Sequence, residues 1–422
     1  MYPNPSDVTR VVFSNGLTVL VRENHAAPVA VLQGSLAVGS IHETPEQAGL
    51  ASFVASLLSR GSQRYDFDAY NETIESVGGN LTFGVDSHST DFGVTCLRED
   101  FGTLVDVLAD ALRRPTFPET HVELVRQQRL VDLQERDEDT GSVSNLRFYE
   151  TVYGRGHAYG RATSGYVETV TAIKRSDLVN FYQSHFTPDQ GVIVITGDVD
   201  TQEVLDLLGS KFGDWHGPQG QRTSVPPEVQ QLPQRVVAAM NDKVQADVVI
   251  GAPAIPRSHP DFYAVRVANC ILGQFGLMGR LGARVREEQG LAYYAYSSLM
   301  TEMVAGVWVA GAGVNPANVD AAIASIAEEF ARIGEEGVEA EELADSQAYL
   351  TGVLPLTLET NEGVAGTLLS MEWFGLGLDY LLRYKDLIYG VTAEDVRRVC
   401  AEYLRPERCV TVVAGPDAAD GR

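Results

Sequence analysis

Ser176-Asp177-Leu178-Val179-Asn180-Phe181-Tyr182-Gln183-Ser184-His185-Phe186-Thr187-Pro188-Asp189-Gln190-Gly191-Val192-Ile193-Val194-Ile195-Thr196-Gly197-Asp198 reads as an amphipathic helix, a proline turn and a buried β-branched strand. The same grammar returns near the C-terminus, in Glu394-Asp395-Val396-Arg397-Arg398-Val399-Cys400 through Pro406 to Val410-Thr411-Val412-Val413-Ala414-Gly415-Pro416. Asp177, Pro188 and Gly197 are answered by Asp395, Pro406 and Gly415, each 218 residues further on and with no gap. A second echo joins Gly93-Val94-Thr95-Cys96 with Gly306-Val307-Trp308-Val309; in both places a strand leads through a short turn into a long helix. Chance similarity of two such units would not keep this register.

The repeat predicts two homologous domains, 1–213 and 233–422. The Gly-, Pro- and Gln-rich segment 214–232 between them has the composition of an extended linker. Within the first half, hairpin-like strands at 17–23 and 29–38 are followed by a helix at 47–60. The expected fold is therefore α+β: two domains, each a largely antiparallel sheet with helices packed on one face.

Composition narrows the function. Of the 422 residues, 32 are Lys or Arg and 57 are Asp or Glu, a net charge of −25 that would repel a phosphate backbone and argues against nucleic-acid binding. No apolar run approaches the ~18 residues needed to span a bilayer. The N-terminus has neither the basic nor the apolar region of a secretion signal, so a cytoplasmic protein is expected. Cys96, Cys270, Cys400 and Cys409 stand far apart, without Cys-x-x-Cys spacing, and read as reduced core residues.

Residues 49–58, Gly-Leu-Ala-Ser-Phe-Val-Ala-Ser-Leu-Leu, form a helix with Ser52 and Ser56 on one face and Ala55 between them. Gly39, Ser40, Glu43, Thr44, Pro45, Glu46, Gly49, Leu50 and Ala51 lead into it. This frame resembles that of the pitrilysin/insulinase-type inverted zincins, the family of the mitochondrial processing peptidase, whose helix carries His-x-x-Glu-His after such a lead-in. The resemblance covers essentially the whole chain. It implies that Ser52 replaces the first zinc-binding His, Ala55 the catalytic Glu and Ser56 the second His. The family's third ligand, a Glu on a later helix, falls at Asp132 by counting along the chain. One carboxylate does not hold zinc. The eight histidines (25, 42, 88, 121, 157, 185, 216 and 259) include no i, i+4 pair. No metal or other cofactor is expected in this chain. His157, in Gly-His-Ala-Tyr-Gly-Arg, matches a family loop usually read as structural.

The second half carries Phe275-Gly276-Leu277-Met278-Gly279-Arg280-Leu281 and then Arg286-Glu287-Glu288-Gln289-Gly290-Leu291-Ala292-Tyr293. This is similar to the family's glycine-rich loop and Arg-Glu-Glu-x-Gly-Leu-Ala-Tyr signature. The resemblance implies that Arg286 and Tyr293 hold a substrate carbonyl over a zinc in another domain or subunit, with Gly276 and Gly279 helping to bind the peptide. A permanent guanidinium and a phenol are suitable fixed donors for a developing oxyanion. The plainer reading, an Arg complementing a helix dipole and glycines that serve packing, stays open.

Two functions remain. In one, the chain is the non-zinc subunit of a heteromeric peptidase, inactive alone. It would supply Arg286 and Tyr293 to a homologous partner bearing His-x-x-Glu-His and zinc, act on extended peptides, and leave a homodimer open to the isolated chain. In the other it is a catalytically inert scaffold of the same fold, like the core subunits of respiratory complexes. Loss of the metal motif beside an intact Arg–Tyr motif favours the first.

Overall fold

The computed structural model describes residues 3–218, 225–226, 233–277 and 279–416. Six strands form the first sheet: β1 (Thr9–Val12), β2 (Thr18–Glu23), β3 (Val29–Leu36), β4 (Asn80–Val85), β5 (Thr90–Leu97) and β6 (Val192–Gly197), in the order β1-β2-β6-β3-β5-β4. The second has β7 (Arg235–Ala239), β8 (Ala246–Ala254), β9 (Ala292–Thr301), β10 (Gly306–Val314) and β11 (Val410–Gly415), in the order β7-β11-β8-β10-β9. Apart from β1, the two sheets have the same order. In each, the repeated strand is parallel to one neighbour, β6 to β2 and β11 to β7, while the remaining pairs are antiparallel. The α+β duplication read from the sequence is the architecture of the chain.

β6 and β11 are buried at every position, which for a β-branched run requires cover on both sheet faces. In the first sheet Leu32, Leu36, Ile193 and Ile195 join a core with Phe53 and Leu57 of the Leu50–Leu58 helix and Leu104 and Leu108 of the Phe101–Arg113 helix. Residues of opposite parity meet a different helix. Thr196 Oγ1 donates to the carbonyl of Asn361 at 2.8 Å, and Gln33 Nε2 to that of Glu362 at 3.4 Å. The Asn361–Trp373 helix thus lies against β3 and β6 with Val364, Ala365, Leu368 and Met371 buried. The second sheet is treated likewise by the Thr140–Tyr153 helix, which packs on β8 and β11; its Tyr153 hydroxyl donates to the Gly306 carbonyl at 2.8 Å.

The compact units are consequently not contiguous. One comprises Met1–Leu133, Ala162–Ser224 and Pro355–Leu382; the other comprises Gln134–Arg161, Val225–Leu354 and Arg383–Arg422. Each sequence half, 1–213 and 233–422, gives a helical segment to the unit built on the other's sheet. Most of the linker expected at 214–232 falls outside the described residues. All four cysteines are free and buried, and burial pushes the Cys270 thiol up to about 11, which makes it a poor nucleophile.

His42 closes the short turn Ser40–His42, its ring centroid 5.0 Å from that of His185. Burial, with smaller contributions from His185 and His88, holds its imidazole down to about 4, opposed by a hydrogen bond with Gly39. The unfolded chain protonates this ring at about 6.5. Its neutral form therefore contributes stability above that pH, and the contribution is lost as pH falls through about 4. Between pH 7 and 4.5 the H42Q variant should lose about 2 kcal/mol less unfolding free energy than the parent, measured by urea denaturation. Identical pH slopes for the two proteins would refute this role.

Candidate functional site

The lead-in to the Leu50–Leu58 helix has a structural task of its own. Glu43 is buried, and its carboxylate accepts hydrogen bonds from the backbone N–H of Gly49 (3.1 Å) and of Ala51 (2.6 Å). An anion placed on these otherwise unpaired N–H groups complements the positive end of the helix. Gly49 takes φ +95°, and a Cβ there would lie 2.9 Å from the Ser164 carbonyl oxygen and from Gly165 Cα. Glu43 and Gly49 are therefore required to start the helix, whatever the helix later carries.

On the face where the resemblance puts two imidazoles, Ser56 Oγ turns back to donate to the Ser52 carbonyl at 2.9 Å, and Ser52 Oγ donates to the Thr163 carbonyl at 2.9 Å. Ala55 between them is buried. The space beside the two hydroxyls is taken by Arg129 of the Glu119–Glu138 helix. Its Nη2 donates to Ser52 Oγ (2.5 Å) and to the Ser164 carbonyl (2.9 Å), and Nη1 reaches Ser56 Oγ at 3.4 Å. The guanidinium carbon stands 5.5 Å from the centre of the Phe53 ring, and Nε is buried without a partner. Burial lowers the Arg129 pKa to about 10, with Glu43 and Asp132 opposing the shift, so the group is a cation at neutral pH. Asp132 follows Arg129 by three residues and is exposed.

These residues do not fit a zinc ion. Serine hydroxyls are not zinc ligands of choice, and a guanidinium on the same two oxygens repels a divalent cation. Among the described residues no group of three or more His, Cys, Asp and Glu side chains is placed to hold a metal. Arg129 is not legible in the sequence as part of this site, because arginine is not a zinc-ligand type of residue. Its offset from Asp132, which puts both toward one helix face, was the available signal.

The second set of residues lies in the other unit. Gly279 follows the Phe262–Gly273 helix with φ +63°, and a Cβ there would sit 2.4 Å from the Ile271 carbonyl oxygen; Gly276, φ +59°, has open space around it. Met278 between them is outside the described residues. Arg280 is anchored on Glu342 by two hydrogen bonds of 2.6 Å and on the Gly337 carbonyl at 3.0 Å. Residues Gly282–Glu288 then form a π-helical turn rather than an α-helix, with Arg286 exposed in its last turn. Such wide turns recur at functional positions. Gly290, φ +62°, ends it, with Leu291 N–H bonded to the Val285 carbonyl at 3.0 Å.

Tyr293 occupies a β-bulge. On β10, Gly313 pairs with Tyr294 and Val314 with Ala292, so Tyr293 is the extra residue, and its side chain is 64% exposed. The next residue is fixed. The Tyr294 hydroxyl donates to Asp247, a carboxylate 4% exposed that also accepts from Thr140 Oγ1 at 2.5 Å. Neither the Arg286 nor the Tyr293 side chain has a hydrogen bond or ion pair to any described residue, and both residues are exposed. His157, by contrast, is engaged in structure: Nε2 meets the Pro226 carbonyl at 2.8 Å and the ring stacks on Tyr153.

Comparison with known proteins agrees with this anatomy. Residues 18–164 match the family described as Insulinase (Peptidase family M16), and residues 172–350 match the Peptidase M16 inactive domain. An uncharacterised zinc protease of Streptomyces coelicolor is 26% identical over 97% of this chain and 90% of its own length. A probable mitochondrial-processing peptidase subunit beta of Schizosaccharomyces pombe is 24% identical over 92% and 87%. The crystal structure of a peptidase M16 inactive domain from Pseudomonas fluorescens superposes with a TM-score of 0.90 at 22% identity, over 97% of this chain and 98% of that one. The chain belongs to the insulinase family of peptidases, as a member without the His-x-x-Glu-His zinc motif.

Proposed function

We propose that this chain is the non-zinc subunit of a heteromeric peptidase. It lends Arg286 and Tyr293 to an active site whose zinc and His-x-x-Glu-His helix belong to a homologous partner, and the substrate is an extended peptide running past the loop with Gly276 and Gly279. The observation that carries this reading is the contrast between the two motifs. The metal helix is closed by a guanidinium, whereas the Arg–Tyr pair stands exposed, unpartnered and displayed on a π-turn and a bulge. A chain serving only as scaffold has no physical need to hold two free donors on irregular backbone. Likeness to a relative named as a subunit of a processing peptidase supports the pairing.

In the complex with a partner carrying the intact motif, an oxyanion forming on the scissile carbonyl would gain a guanidinium and a phenol carried on backbone that Arg280–Glu342 and Tyr294–Asp247 hold in place. R286A and Y293F should each lower kcat/KM for peptide cleavage about 10²–10³-fold while the pair still co-elutes in size-exclusion chromatography. Unchanged turnover with both variants would establish the inert-scaffold reading instead.

The clamp behind the bulge generates a further expectation. Y294F frees strand β9 from Asp247, lets the neighbouring Tyr293 wander and should lower kcat about tenfold with KM little changed, because a misplaced donor is felt in the transition state. A variant with parental kcat would show that the bulge needs no clamp.

A further inference from the structure

The position vacated by the metal ligands is filled, and the manner of filling points to a role. Three separate pieces of backbone converge there: the Leu50–Leu58 helix through Ser52 and Ser56, the Glu119–Glu138 helix through Arg129, and the loop at 163–164 through two carbonyls. The acceptors offered to the guanidinium are neutral oxygens. The nearby negative groups, Glu43 and Asp132, act on it electrostatically. Oxygen acceptors facing one point, with carboxylates behind them, are an environment that wants a cation.

We propose that Arg129 is the resident cation of this site. It is a covalently tethered replacement for the metal, tying the two helices and the 163–164 loop together and keeping divalent ions out. A planar guanidinium suits the task because it reaches both serines and a carbonyl at once, which the point charge of a lysine does not. It never dissociates, so this part of the fold does not depend on metal supply, unlike a domain whose folding is linked to binding an ion. The inference concerns the chain alone and does not rest on the partner proposed above.

Two measurements test it. First, R129A and R129K should melt roughly 5 °C or more below the parent, R129A the lower of the two, and the parent should melt at the same temperature in chelator and in excess zinc. R129A melting with the parent, or a parent stabilised by zinc, would overturn the proposal. Second, the ligands can be restored by S52H, A55E, S56H and D132E together, in the parent and in the R129M background, which keeps the volume but not the charge. Isothermal titration with zinc should give an affinity roughly 100-fold or more higher in the R129M background, because the fixed positive charge is gone. Equal zinc affinity in the two backgrounds, whether tight or absent, would show that Arg129 does not govern the site.

Discussion

Burying β6 and β11 on both faces is the constraint from which the rest of the molecule follows. A strand of Val, Ile and Thr with no polar side to show to water cannot sit under one layer of helices. Each sheet therefore receives a second layer, and the chain supplies it by exchange: the Asn361–Trp373 helix goes to the first sheet and the Thr140–Tyr153 helix to the second. Both exchanged helices attach through polar bonds as well as apolar burial. Thr196 and Gln33 hold one, while Tyr153 and the Thr140–Asp247 pair hold the other. The duplication is thus a mutual arrangement of two halves that complete each other's cores.

That arrangement places the two chemical motifs under different rules. The metal helix is wedged at its start by Glu43 and Gly49 and on its face by Arg129, and every polar atom named there is committed to the fold apart from Arg129 Nε. The Arg–Tyr motif is held from behind, by Arg280 on Glu342 and by Tyr294 on Asp247, so that Arg286 and Tyr293 themselves are left uncommitted. Uncommitted donors on firmly held backbone are what a binding surface requires. Ser52, Ser56 and Arg129 are thus spent on the fold, whereas Arg286 and Tyr293 are left exposed.

Much of this was legible in the sequence, for identifiable reasons. The repeated helix–proline–strand unit is written in residue types with strong local meaning, and Pro188 and Pro406 fix its register. The exchange of helices was not legible, because a helix sequence states that a helix forms and not which sheet it covers. The stretch after Ala292 shows the same limit. Ala295 and Ser297 alternate inward as a strand should, but the bulge at Tyr293 is a mismatch with β10 that a single strand cannot announce. The π-turn before it reads as an ordinary helix, since its residues have no distinctive propensity. Arg129 was hidden differently: an arginine is not a metal ligand, so its type does not mark the two serines it bonds.

Metal content decides whether this chain holds no metal of its own and completes a site whose zinc lies on a partner. Native mass spectrometry with elemental analysis, on the chain alone and on its complex with a His-x-x-Glu-His homologue, tests it directly. The chain alone should carry no zinc and cleave no peptide, and the complex should carry one zinc per heterodimer and be active. Stoichiometric zinc on the isolated chain, or peptide cleavage without a partner, would contradict it.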